Sequence, residues 1–230
     1  MKFKGILFDK DGTLFDFQKT WNSWSAEMIE HFSAGDPGQR RAIAETVGYD
    51  LARQEFYPDS IVIAGTNRQV AECVTKVVPR YSVEEVEEFL MQSSLTAQVS
   101  EATPLIPFFQ RLKQNGLKLG VMTNDTEAGA RAHLASVGAL ELLDFVAGFD
   151  SGFGAKPAPG PLLAFVKAMG LSQDQAVMVG DSTHDLIAGR AAGMHTIGVL
   201  TGLAQGSELA PYADSILPDI SHIPDYFGLP

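Results

Sequence analysis

The hydrophobic pattern along the chain changes its period twice. Lys4-Gly5-Ile6-Leu7-Phe8 is a short apolar run that stops at Asp9-Lys10-Asp11-Gly12-Thr13, as a buried strand does when it ends in a polar turn. From about residue 17 to 98 the spacing becomes helical. Trp21, Trp24, Met28, Ile29 and Phe32 recur at three-to-four intervals along one face, so the tryptophans read as core. Asp36-Pro37 has the order of an N-cap and first helical residue, and Ser82-Val83-Glu84-Glu85 matches a capping box. The whole block is expected to be helical.

Beyond Thr103-Pro104-Leu105-Ile106-Pro107 the two periods alternate. Helices are expected over 108–114, 126–137, 162–169 and 185–192, and strands over 117–122, 145–148, 176–179, 196–199 and 215–217. Such alternation predicts an α/β fold, a parallel sheet covered by helices on both faces. If 4–8 joins that sheet, residues 1–16 and 99–230 form one α/β core domain, and 17–98 is an inserted α-helical cap domain. Hinges then fall near 14–18 and 98–104.

Composition narrows the function. Hydrophobic residues at 45% and charged residues at 20% describe a globular chain rather than a disordered or disulfide-knotted one. With 28 acidic against 17 basic residues the formal charge is -11, the wrong sign for nucleic acid as a main partner. The single cysteine, Cys73, lies in the apolar row Val70, Cys73, Val74, Val77 and reads as a small core hydrophobe, which fits a reducing, cytoplasmic setting. Asp9 and Asp11 interrupt the apolar start too early for an export signal, and no uncharged apolar run reaches the roughly 18 residues a membrane span needs.

In open parallel sheets, ligands bind beyond the carboxyl ends of the strands. Four polar clusters fall there: Asp9 with Asp11, Thr123 with Asn124, Lys156 on a glycine- and proline-rich loop, and Asp181 with Asp185. Each alone has an ordinary explanation, as a turn, a helix cap or a solvated lysine. Together the four aspartates gather a charge that needs a cation, since two unit charges 4 Å apart repel by about 4 kcal/mol at an effective dielectric near 20. Oxygen ligands without a histidine or thiolate cluster suit a hard divalent ion, Mg2+ before zinc. Mg2+, Lys156 and the Thr123 hydroxyl would neutralise a phosphate and leave phosphorus open to a carboxylate nucleophile, for which Asp9 is the candidate.

These residues carry a resemblance. Phe8-Asp9-Lys10-Asp11-Gly12-Thr13-Leu14, Val121-Met122-Thr123-Asn124, Lys156-Pro157 and Gly180-Asp181-Ser182-Thr183-His184-Asp185 are similar, in order, to the four motifs of the haloacid dehalogenase superfamily, in particular its phosphatases with a helical cap. The resemblance covers nearly the whole chain and implies a Rossmann-like core. It further implies that Asp9 attacks phosphorus to give an aspartyl-phosphate, and that Asp11 protonates the leaving oxygen and then activates water. Thr123, Lys156 and Asn124 would contact the phosphoryl group. Asp9, Asp11 through its backbone carbonyl, and Asp181 would bind Mg2+, with Asp185 behind them.

Lys10 departs from the pattern, because that position is commonly apolar in the family; its side chain is expected to reach solvent, diverging from its neighbours. His184 is expected on a partly exposed loop, and His31, His133, His195 and His222 receive no role. Asp11 argues against dehalogenase and phosphonate-cleaving relatives, which generally lack it. Trp21 stands where sugar-phosphate mutases of the family usually have a histidine. The resemblance therefore implies a phosphomonoester hydrolase for a small metabolite such as phosphoglycolate, with a mutase or a non-catalytic metabolite-binding protein as alternatives. Arg40, Arg41, Arg53, Arg68, Lys76 and Arg80 in the cap include candidate partners for a substrate carboxylate.

Overall fold

In the computed structural model, which describes residues 2–57 and 59–230, the chain starts with strand β1 (Gly5–Phe8) and enters helix α1 (Phe17–Ser33). Helix α2 (Pro37–Val47) follows, then a short antiparallel ribbon of β2 (Tyr49–Asp50) and β3 (Glu55–Phe56), and helices α3 (Ile61–Ala64), α4 (Asn67–Val77) and α5 (Val83–Ser94). The return through α6 (Leu105–Gln114) opens a regular alternation: β4 (Lys118–Met122), α7 (Glu127–Ser136), β5 (Phe145–Ala147), α8 (Gly160–Met169), β6 (Ala176–Gly180) and α9 (Thr183–Ala191). It closes with β7 (His195–Val199), α10 (Gly206–Leu209), β8 (Ser215–Leu217) and α11 (Ile223–Tyr226). Packing divides the chain into two compact units, residues up to Phe17 with Val99–Pro230, and Gln18–Gln98.

The first unit holds one six-stranded sheet in the order β5-β4-β1-β6-β7-β8, every neighbouring pair parallel. Alternation of side chains gives it two buried faces. Ile6, Phe8, Leu119, Val121, Val177 and Val179 face α6 and α7 through Phe109, Leu112, Ala130 and Leu134. Leu7, Met122 and Met178 face α8 and α9 through Leu162, Phe165 and Ala188. Apolar runs without polar alternation are what a doubly covered parallel sheet requires. Because chain order reverses at β1, with β4 on one side and β6 on the other, the carboxyl ends of these three strands border the crevice where this topology places ligands.

The helical unit follows its local signals. Asp36 caps α2 through the Gln39 N–H at 2.8 Å, and Ser82 with Glu85 forms the reciprocal box at the start of α5. Trp21 and Trp24 are buried and meet edge to face at 5.2 Å, and the Trp24 indole donates to Ser93 Oγ at 2.9 Å. Three expectations need correction. The block is not wholly helical, because Tyr49 and Phe56 pair across the β2–β3 ribbon, their rings meeting edge to face at 5.1 Å. Cys73 is half-buried beside the buried Val70 and Val74, at the margin of the core rather than in it. Helix α6 begins at Leu105, three residues before the expected start, since Pro107 lies in the first turn, where its missing N–H costs nothing, and Glu101 accepts the Leu105 N–H at 2.8 Å. Among the described residues no helix is long and apolar enough to cross a membrane.

Candidate functional site

Each site residue stands one step beyond a strand, on the loop that follows one, or in the first turn of the next helix. Asp9 continues β1, its N–H donating to Val179 O of β6 at 2.8 Å, and Thr123 continues β4, its N–H donating to Ala147 O at 3.1 Å. Asp181 directly follows β6, and Asp185 lies in the first turn of α9. There Ser182 is the N-cap, and Asp185 is the third residue of a capping box: its Oδ2 accepts from Ser182 N at 3.0 Å and Ser182 Oγ at 2.7 Å. Lys156 belongs to the loop between β5 and α8.

These side chains converge. The Lys156 ammonium pairs with Asp9 Oδ1 and, at 2.5 Å, with Asp185 Oδ1; all three residues are buried. Ligand oxygens of Asp9, Asp181 and Asp185 lie within 4.8 Å of one another. Thr13 Oγ1 donates to Asp181 Oδ1 at 3.1 Å. Burial pushes the Asp9 carboxyl up to about 7, with Asp185 and Asp11 adding to the rise and Lys156 opposing it. Burial, then Asp9 and Asp185, also push Asp181 well above the usual carboxylate range. Burial pulls the Lys156 ammonium down, but Asp185 and Asp9 outweigh it and hold it above the ordinary lysine value.

This donor set fits a hard divalent cation. Three buried carboxylates against one ammonium leave an excess of two negative charges, and the ligands are all oxygen. The backbone is shaped to the same cluster. Gly12 has φ +82°, in the left-handed region, and a Cβ there or on Gly202 would overlap the Asp181 carboxylate. The Thr201 hydroxyl donates to Gly12 O at 2.6 Å, latching the segment after β7 onto the first turn. Thr201 and Gly202 were not among the residues expected from sequence, although the end of β7 opens on the same edge of the sheet.

The other expected residues are placed as follows. Asn124 forms a two-bond clasp on the main chain of Lys156, accepting its N–H at 2.9 Å and donating to its carbonyl at 3.0 Å. Thr123 is buried, and its hydroxyl accepts the Asp125 N–H at 3.1 Å. Asp11 sits on the turn beyond β1 with its carboxylate Oδ2 3.0 Å from Lys10 Nζ. His184 is half-buried in the first turn of α9 rather than on a loop.

Lys10 is the largest departure from expectation. It is fully buried, and its ammonium meets Asp11 Oδ2 at 3.0 Å, Asp125 Oδ2 at 2.8 Å and His133 Nδ1 at 3.0 Å. Strand alternation does not govern it, because β1 ends at Phe8 and the backbone is already turning. Burial lowers the Lys10 ammonium, but Asp11 and Asp125 more than offset that and hold it above the ordinary lysine value. Burial raises Asp125, yet Lys10 and the Thr126 N–H outweigh it, so its carboxyl is held below the usual range. Removing one member of such a buried set strands a charge, at a cost of about 3–5 kcal/mol. The signal for it was in the sequence: a charged residue at a position where the family commonly places an apolar one needs a partner inside, and Asp125 follows Thr123-Asn124 directly.

In the helical unit, Arg53 borders a hollow of about 510 Å³ together with Asn22, Ser23, Glu27 and Glu55. Two other candidate cations are already engaged, Arg68 with Glu84 and Glu87 at 3.0 Å each, and Arg80 with Gln39 and the carbonyl of Phe32 at 2.6 Å each.

Known proteins resemble this chain. The pattern of the family described as haloacid dehalogenase-like hydrolases matches residues 6–199. A phosphoglycolate phosphatase of Aquifex aeolicus is 30% identical over 90% of this chain and 89% of its own. One of Rhodospirillum rubrum is 34% identical over 119 residues, about half of either chain (52% and 49%). Among solved structures, a phosphatase of the same superfamily from Thermococcus onnurineus superposes with a TM-score of 0.69 at 22% identity, covering 98% of each chain.

Proposed function

The chain belongs to the haloacid dehalogenase-like hydrolases and is a phosphatase, and from that premise we propose that it hydrolyses a small phosphomonoester, phosphoglycolate or a metabolite like it, through a phosphorylated Asp9. The observation that carries the reading is the convergence of Asp9, Lys156, Asp181 and Asp185 beyond the carboxyl ends of parallel strands. An Asp9 oxygen attacks phosphorus in line with the ester oxygen. The P–O ester bond breaks, and the alcohol leaves with a proton from Asp11. Asp11, now a carboxylate, takes a proton from water as that water attacks phosphorus, the bond from Asp9 to phosphorus breaks, and inorganic phosphate departs.

Lys156 neutralises phosphoryl oxygens as charge builds on them, and the Asn124 clasp fixes the backbone from which its side chain extends. Thr123 offers its hydroxyl to the same group. Asp9, Asp181 and the Asp11 carbonyl would hold Mg2+, with Asp185 behind them, since both its oxygens are engaged with Lys156 and Ser182. When bound, Mg2+ supplies positive charge that draws a dianionic phosphate to an otherwise acidic cluster. In this division of labour the α/β core does the chemistry, and the inserted helical unit, 18–98, acts as the cap that selects the substrate.

The test is phosphate release across a panel of small phosphorylated metabolites, with Mg2+ and with excess chelator. Release that requires Mg2+ and favours short phosphate esters is expected. Full activity in chelator would overturn the metal assignment, and isomer interconversion without phosphate release would favour a mutase.

A further inference from the structure

We propose that Lys10 is a positioning residue for Asp11: its buried ammonium fixes the carboxylate that handles the leaving group's proton, with Asp125 and His133 as its anchor. The inference rests on the reading of Asp11 as acid and base. Asp11 stands on a turn outside any strand, so the sheet itself does not set its side chain. Its carboxylate Oδ2 forms a 3.0 Å ion pair with Lys10 Nζ. A lysine tether is useful only if the lysine cannot move, and this one is fully buried and bound at its tip.

The anchor is built into the loop that follows β4. Asp125 Oδ2 takes the Lys10 ammonium at 2.8 Å, while its Oδ1 accepts the Thr126 N–H at 2.7 Å and its own N–H donates to Thr123 Oγ1 at 3.1 Å. His133, one turn from the end of α7, lies 3.0 Å away through Nδ1. An ammonium has donors only, so Nδ1 accepts, which makes His133 the neutral tautomer protonated on Nε2. Phe15 packs edge-on against that ring at 6.4 Å. Lys10 therefore ties the turn bearing Asp11 to the three-residue segment Thr123-Asn124-Asp125, the segment that also clasps Lys156. An apolar residue at position 10 could fill the volume but could not make that connection.

A purely structural ion pair would leave the chemistry of the leaving group untouched, and this separates the two roles. Lys10→Met alone strands Asp125 in the interior, so the informative variant is Lys10→Met with Asp125→Asn, which removes both charges and keeps the Oδ1 acceptor for Thr126. Its fold is checked by circular dichroism and thermal melting. Release of the leaving group in the first turnover, before the hydrolysis step that both esters share, is then measured with enzyme in excess, using an alkyl phosphate, whose leaving oxygen needs a proton, and p-nitrophenyl phosphate, whose leaving group departs without one. Misplacing Asp11 is expected to lower that first-turnover rate for the alkyl ester by about 10²-fold, with the half-saturating concentration within about threefold and the aryl ester much less affected. A folded double variant that loses nothing, or loses both activities equally, overturns the proposal. Asp11→Asn is run in parallel. If it loses the alkyl activity while the double variant does not, Lys10 alone is misassigned; if it retains both activities, the reading of Asp11 fails and the role of Lys10 with it.

Discussion

Asp9→Asn is expected to abolish turnover, to roughly 10⁻⁴ of wild type or below, the scale on which removing a nucleophile that works as a unit with its neighbours is felt. The fold should survive. Asparagine has the shape of aspartate, but its amide oxygen does not displace an alkoxide from phosphorus, so the covalent step is lost rather than slowed. Structurally the change relieves the site, because it removes one of three carboxylates whose oxygens lie within 4.8 Å and leaves Lys156 paired with Asp185. Unchanged or raised thermal stability together with lost activity is the expected pair of results. Activity within tenfold of wild type in a folded Asp9→Asn protein would contradict the nucleophile assignment.

Mg2+ is expected to stabilise the protein measurably, and Asp181→Asn to remove that effect. A ligand at 100 times its Kd adds about 2.7 kcal/mol, which for a chain of this size shifts Tm by roughly 5–10 °C. The sign of the pH dependence follows from burial. Asp9 is raised from 3.8 to about 7, so in this interval the folded, metal-free protein keeps a proton that the unfolded chain has lost. That group's contribution to stability is present below 3.8 and is lost as pH rises towards 7. Because Mg2+ must displace those protons, its stabilising shift should grow as pH rises through the same window. Asp181→Asn keeps an oxygen to accept from Thr13 and deletes a like charge, so the metal-free variant should melt at or above wild type. An undiminished Mg2+ shift in Asp181→Asn, melted alongside wild type over a pH series, would contradict the proposed ligand set.

Much of the fold was legible because its strands are buried on both faces, so that β1, β6 and, after Lys118, β4 appear as uninterrupted apolar runs with polar residues where they end. The same logic located Asp9, Thr123 and Asp181, each one residue past a strand. Lys156 joins them as the cation on the glycine- and proline-rich loop after the 145–148 strand, and the resemblance supports that placement, since nothing local distinguishes it from a solvated lysine. What escaped was structure below the reach of periodicity. The β2–β3 ribbon has two residues per strand, too few to show alternation within a helical stretch. Strand alternation does not extend to Lys10, because the strand ends at Phe8. His133 carried no signal of its own, because its partner lies 123 residues away.

The central claim is that Asp9 becomes covalently phosphorylated. It is tested most directly by quenching the wild-type protein during turnover of a phosphomonoester, treating it with hydroxylamine, and locating the product by peptide mass spectrometry. An acyl phosphate is converted to a hydroxamate, which should appear at Asp9 alone and only when substrate is present. Steady turnover with an unmodified Asp9, or with the hydroxamate on a different carboxylate, would contradict the account.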